Sequence, residues 1–186
     1  SAVDFFARKK GSTDDLTFGC GIDRHQYMAV GIDVDDIFQL KLQSSGGVWE
    51  IDLIGYYNAD DFVFFDNVLT SSPADATWSD FDISGSTGGD TAIAAMCWAA
   101  NDSSLSRALG YRQKGSTDNR INTVMGSGGT ATFAGTPTVG CDGSEVFQIY
   151  RQVASVGDMY CIGYAKSGVT MNTNAADNSI ATTGAW

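Results

Sequence analysis

Between Ile37 and Gln43 apolar and polar residues take strict turns. Phe38, Leu40 and Leu42 fall on one side, and Gln39, Lys41 and Gln43 on the other. A period of two marks a strand with one face buried. It returns over Val48–Tyr56, where Trp49, Ile51 and Leu53 oppose Glu50 and Asp52, and again over Trp78–Ser84. Ser44-Ser45-Gly46-Gly47 between the first two runs predicts a hairpin. Arg24–Val30 and the aromatic run Phe62–Phe65 read as further strands. Thr91–Ala99 differs, being apolar on both sides, and predicts a central strand. Val146–Gln152 and Met159–Tyr164 predict a second hairpin. No convincing helix emerges, and the regular spacing of strands and turns predicts an all-β fold of antiparallel β-sandwiches, jelly-roll-like in character.

The pattern occurs twice. Arg8-Lys9-Lys10-Gly11-Ser12-Thr13-Asp14-Asp15 matches Arg112-Gln113-Lys114-Gly115-Ser116-Thr117-Asp118-Asn119 at six of eight positions. Val30-Gly31-Ile32-Asp33 is echoed by Val139-Gly140-Cys141-Asp142, and Ile37-Phe38-Gln39-Leu40 by Val146-Phe147-Gln148-Ile149. Ile54-Gly55-Tyr56 is echoed by Ile162-Gly163-Tyr164, and Trp78 by Trp186. The offset drifts only from 104 to 109, which describes a tandem duplication of one module. The expected organisation is a first β-sandwich over 1–84, a linker at 85–90 made of small and acidic residues, and a second sandwich over 91–186. Thr91–Ser104 has no counterpart before Ser1, and the chain stops at Trp186 where the first unit continues to Ser84. Either the chain is an excerpt of a longer array, or the first unit takes a strand from a neighbouring molecule at an open sheet edge.

Composition sharpens this picture. Of 22 acidic residues 20 are Asp, and Gly numbers 22 in 186 residues. Asp and Gly favour turns and are poor in helices, so the skew agrees with strands and turns. A net charge of −11 repels phosphate backbones and disfavours nucleic-acid binding. The longest apolar run, Ala92–Ala100, is far shorter than the ~18 residues of a membrane span, so no membrane partner is expected. Ser1-Ala2-Val3-Asp4 has neither a basic start nor an apolar stretch, so no signal peptide is expected there. Cys141 and Cys161 stand where the first copy has Ile32 and Leu53. They are expected to be buried thiols, with a Cys141–Cys161 disulfide as the alternative.

Candidate chemistry is thin. Gly11 and Gly115 with Asp14 and Asp118 form a repeated structural turn. Arg8 and Arg112 lead into it, and their guanidinium forks suit loop carbonyls or a carboxylate. Lys10-Gly11-Ser12-Thr13 has the wrong order for a phosphate loop. His25 is the only histidine, expected as a strand residue rather than a catalytic base. Glu50 and Glu145 occupy non-equivalent positions, unlike a glycosidase pair. No cofactor or metal site is expected, although calcium could take oxygens from Asp33, Asp35 and Asp36 or from Asp60 and Asp61. Asn101-Asp102-Ser103 is a lone glycosylation sequon, a short pattern that chance readily produces. Trp49, Tyr56 and Tyr57 could form a glycan platform, against a plainer role in packing.

The [Gly/Ala]-x-Arg-x-Lys-Gly-Ser-Thr-Asp turn at 110–118, its looser copy at Ala7–Asp14, Val-Gly-x-Asp and x-Ile-Gly-Tyr together resemble a β-sandwich repeat of phage virion proteins and other extracellular appendages. Phe6 stands where the second copy has Gly110, which loosens the first match. The resemblance carries no catalytic residues. It implies a structural or adhesive subunit, such as a tail-fibre or capsid-decoration protein, located in a virion or outside the cell. Its partners would be copies of itself or other filament subunits. A carbohydrate-binding module or lectin is the alternative, and an enzyme such as a polysaccharide depolymerase is not expected.

Overall fold

The computed structural model describes residues 3–14, 16–20, 28–42, 52–101, 105, 107–118, 121–124, 132–133, 137–153 and 158–174. Their strands are β1 (Val3–Lys9), β2 (Leu16–Cys20), β3 (Phe38–Leu42), β4 (Phe62–Ser71), β5 (Thr77–Asp82) and β6 (Ala94–Asn101). β7 (Arg107–Gln113), β8 (Ile121–Val124), β9 (Thr132–Phe133), β10 (Thr138–Gly140), β11 (Val146–Arg151) and β12 (Asp158–Ala165) follow. Among the described residues the only helical piece is a 3-10 turn at Ser84–Ser86. The protein is all-β.

The strands form three antiparallel sheets. The first runs β2-β1-β3, the middle one β10-β6-β12-β4 with β9 also on β6, and the last β5-β11-β7-β8. Alternation decides how they stack. On β6, Ala95, Cys97 and Ala99 enter one apolar cluster while Met96 and Trp98 enter another. β4 divides likewise, Val63, Phe65 and Leu69 against Phe62, Phe64 and Val68. One cluster takes Phe81, Leu109, Phe147 and Ile149 from the last sheet, and the other takes Ala7 from the first. The middle sheet is therefore packed on both faces, which is why Thr91–Ala99 is apolar throughout. Gly163 sits at its tightest point, a register shift between β12 and β4, where a Cβ would lie 2.3 Å from the Val63 carbonyl oxygen.

Several expected boundaries move. β4 pairs with β12, and β5 pairs with β11, so hydrogen bonding crosses residues 85–90. Phe81 and Ile83 are buried in the same cluster as Cys97 and Phe147, with no seam between units at that point. The expected linker is a packed turn: Thr87 is buried, its hydroxyl donates to Glu145 Oε2 at 2.9 Å, and its carbonyl accepts from Tyr164 at 2.9 Å. Small polar residues suit a tight turn as well as a tether. The domain limits 1–84 and 91–186 thus divide the sequence repeat, not the sheets.

Of the two predicted hairpins, the first has its turn and the start of its second strand, within 43–51, outside the described residues, and the second changes. β11 and β12 lie in different sheets, because alternation gives a strand its face and not its partner. Residues 52–57 carry no strand, although their repeat counterparts lie in β12. β12 is held on both sides by β6 and β4, support that 52–57 lack among the described residues. Arg24–Val30 is described only from Met28, where the chain carries no strand yet packs against the cluster of Ala7, Met96, Trp98 and Ile162.

Candidate assembly surface

The repeated turn is built alike in both copies. Gly11 and Gly115 have φ of 89° and 87°, a left-handed conformation that glycine takes without a Cβ penalty. Ser12 N–H donates to the Lys9 carbonyl, and Ser116 N–H to the Gln113 carbonyl, each at 3.0 Å. The two serine hydroxyls accept from Asp14 N–H and Asp118 N–H, each at 3.0 Å. A distant asparagine closes each turn. Asn67 Oδ1 accepts from the Thr13 amide and hydroxyl at 3.3 and 3.0 Å, and Asn174 Oδ1 from the Thr117 amide at 2.9 Å. Asp14 also accepts from Val68 N–H at 2.6 Å. The asparagine pair escaped the sequence comparison, being single residues in an otherwise diverged stretch.

The acidic turn before β3 and β11 is equally repeated. Asp33 Oδ1 accepts from Asp35 and Ile37 N–H, and Asp142 Oδ1 from Ser144 and Val146 N–H, at 2.8–3.0 Å. Asp36 and Glu145 both take positive φ, 61° and 63°. The Ile37 amide, with Lys10 adding to it, holds the Asp33 carboxyl below its ordinary range. Its oxygens thus serve the loop and Lys10. Among the described residues no group of three or more His, Cys, Asp or Glu is arranged to hold an ion.

What differs between the copies is the strand edge. In the second, β5 lies along β11. The Arg112 guanidinium sits 4.2 Å over the Trp78 ring, which also packs on Tyr150 at 5.4 Å. Lys114 reaches Asp80 at 2.6 Å, Gln148 donates to Asp80 at 3.0 Å, and Phe81 packs on Phe147 at 4.9 Å. Lys114 and then Gln148 hold the Asp80 carboxyl below its usual range. Arg112 also donates to Gln148 and to the Asp118 carbonyl, at 2.8 and 3.2 Å, the loop-holding role its position suggested.

In the first copy β3 pairs with β1 on one side, and no described strand pairs on the other. Arg8 donates to Gln39 at 2.9 Å, as Arg112 does to Gln148. Lys10, the counterpart of Lys114, instead folds back on Asp33 and Asp35 at 3.2 and 3.6 Å. Ile32, Ile37 and Leu40 are each 42% exposed, while their counterparts Cys141, Val146 and Ile149 are 7%, 6% and 0% exposed. A groove of about 310 Å³ is lined by Phe6, Arg8, Gln39, Leu40 and Lys41, among them Arg8 and Lys41, the counterparts of the Arg112 and Tyr150 that flank Trp78.

Other candidates do not converge on this surface. Tyr56 and Tyr57 are exposed, but the counterpart of Tyr56, Tyr164, is buried and bonded to Thr87 and Asp90. A glycan platform is therefore not duplicated there. Trp49, His25 and Glu50 lie outside the described residues. Cys97, Cys141 and Cys161 are free and buried; burial raises the Cys97 thiol strongly and pushes Cys141 up to about 12. No described helix is long and apolar enough to cross a membrane. No family model, curated protein or solved structure matches the chain.

Proposed function

We propose that this protein is a structural or adhesive subunit, of virion or extracellular filament type, that assembles through its sheet edges. The two repeats are copies of one sandwich-type module, jelly-roll-like in descent, whose β4 and β5 close the sheets of the copy that follows. One observation carries this: β5, from the first repeat, completes the last sheet, while Ile32, Ile37 and Leu40 on and before β3 stay 42% exposed and no described strand pairs on the far side of β3. A module that passes strands to the one that follows suits serial assembly. Nothing in the proposed role calls for catalysis, a cofactor or nucleic acid. Sedimentation velocity and negative-stain microscopy of the 186-residue chain test the proposal. Oligomers or filaments that grow with concentration are expected, and a monodisperse monomer at every accessible concentration would reject it.

A further inference from the structure

β6 and β12 bring two of the buried thiols to one place. Cys97 and Cys161 stand directly opposite each other in the antiparallel register. Both belong to the cluster around Phe147, and both are 0% exposed. The hydrogen bonds fix the kind of pair. The Cys97 N–H donates to the Pro137 carbonyl at 2.9 Å, so its backbone groups face β10 and turn away from β12. Towards Cys161 it is therefore a non-hydrogen-bonded position, where Cα atoms approach to about 4.5 Å and side chains come closest. That separation lies within the ~4.4–6.8 Å that a disulfide spans. The thiols already meet: Cys161 Sγ donates to the Gly163 carbonyl at 3.2 Å and accepts from the Cys97 thiol. Cys141 is placed otherwise. It follows β10, its N–H donates to the Ile93 carbonyl at 3.0 Å, and β6 lies between β10 and β12. Strands two places apart are separated by about 10 Å, beyond the reach of a disulfide to Cys161.

We propose that Cys97 and Cys161 are a redox pair, which a small-molecule disulfide of the glutathione type closes into a cross-strand bond clamping β6 to β12. The first cysteine thiolate attacks the S–S bond of the oxidant, giving a mixed disulfide and releasing one thiol. The second attacks the protein sulfur of that mixed disulfide and releases the other. Two protons leave the cysteines and end on the two released thiols; the pair loses two electrons and the oxidant gains them. Burial, and then the hydrogen bond to Cys161, holds the Cys97 thiol well above its ordinary range, so the folded pair offers little thiolate. The bond is made while the sheet is open, and folding then seals it. This goes beyond the assembly reading and does not depend on it.

The sequence makes the test direct, because trypsin leaves each cysteine on its own peptide: Cys20 on 11–24, Cys97 on 42–107, Cys141 on 121–151 and Cys161 on 152–166. The reduced 186-residue chain is unfolded in urea and refolded by dilution into a mixture of oxidised and reduced glutathione. Remaining thiols are alkylated, and the digest is read by mass spectrometry. Free thiols are expected to fall from four to two per chain, with 42–107 joined to 152–166. The linked chain should melt about 10 °C above the same chain refolded in dithiothreitol, as for a disulfide closing a long loop. Four free thiols, a link that takes in 11–24 or 121–151 in place of this pair, or a linked chain that melts no higher than the reduced one overturns the proposal.

Discussion

Gly163 is the position where one methyl group should do most damage. Its Cβ would meet the Val63 carbonyl oxygen at 2.3 Å and the Phe64 Cα at 3.0 Å, both backbone atoms that move only if β4 moves. Gly163→Ala is expected to cost roughly 3 kcal/mol. Gly115→Ala has open space but must hold φ near 87°, at about 1–2 kcal/mol. Gly143→Ala meets nothing within 4 Å and should stay within ~0.5 kcal/mol of wild type. Urea midpoints of the three variants give the ranking directly, and equal effects would contradict the tight β12–β4 register. Alkaline pH reports on the buried thiols. Cys141 has a folded-state pKa raised from 9.0 to about 12 by burial. A raised value favours the protonated fold, so its contribution is whole below 9.0 and lost as pH rises toward 12. Stability should fall through that window, and thiol reagents should label Cys97, Cys141 and Cys161 slowly until urea unfolds the chain.

At the scale of elements, β5 is the strand whose attachment matters most. Trp78→Ala removes the ring between Arg112 and Tyr150, and a loss of about 2 kcal/mol is expected. Hydrogen exchange should quicken in β5 and the facing end of β11, while β12, held between β4 and β6, keeps its protection. Unchanged exchange in β5 would mean the ring does not fasten it. Asp80 adds a pH signature. Lys114 and Gln148 lower its pKa from 3.8, so its contribution is present above 3.8 and fades as pH falls through the lowered value. The urea midpoints of wild type and Asp80→Asn should differ at neutral pH and converge in acid. Part of this was legible in the sequence: the two-sided apolar run on β6 and the turns at Gly11 and Gly115 follow from local side-chain chemistry, whereas the alternation at Phe38–Leu42 marks a strand but not a buried face, Leu40 being 42% exposed. Partners were not. Trp78–Ser84 reads as the last strand of the first unit because it is nearest to that unit in the chain. Burial of Phe81 against Phe147 placed it in the second, and a period of two carries no information on that choice. The groove lined by Phe6 and Lys41 was hidden for the same reason, since it depends on β1 and β3 being neighbours.

Taken whole, the molecule is divided differently in sequence and in space. The repeat suggests cutting at 85–90, but a chain of residues 85–186 would lack β4 and β5. It would lose Val63, Phe65, Leu69, Phe81 and Ile83 from the cluster around Cys97 and Phe147. At about 2 kcal/mol for each large apolar side chain, their absence rivals the ~5–15 kcal/mol that holds a typical domain together. The middle sheet would also lose the strand that pairs β12. A chain of residues 58–186 keeps both strands and every pairing of the middle and last sheets. It would expose Met96, Trp98 and Ile162, which the first sheet now helps to cover, so it should bind hydrophobic dyes while still melting cooperatively. Residues 85–186 should show no cooperative transition in circular dichroism and no dispersed amide spectrum. If instead 85–186 folds cooperatively and 58–186 does not, strands are not passed forward between repeats. The exposed Ile32, Ile37 and Leu40 would then be an incidental feature of one sheet, with no part in joining one copy to the next.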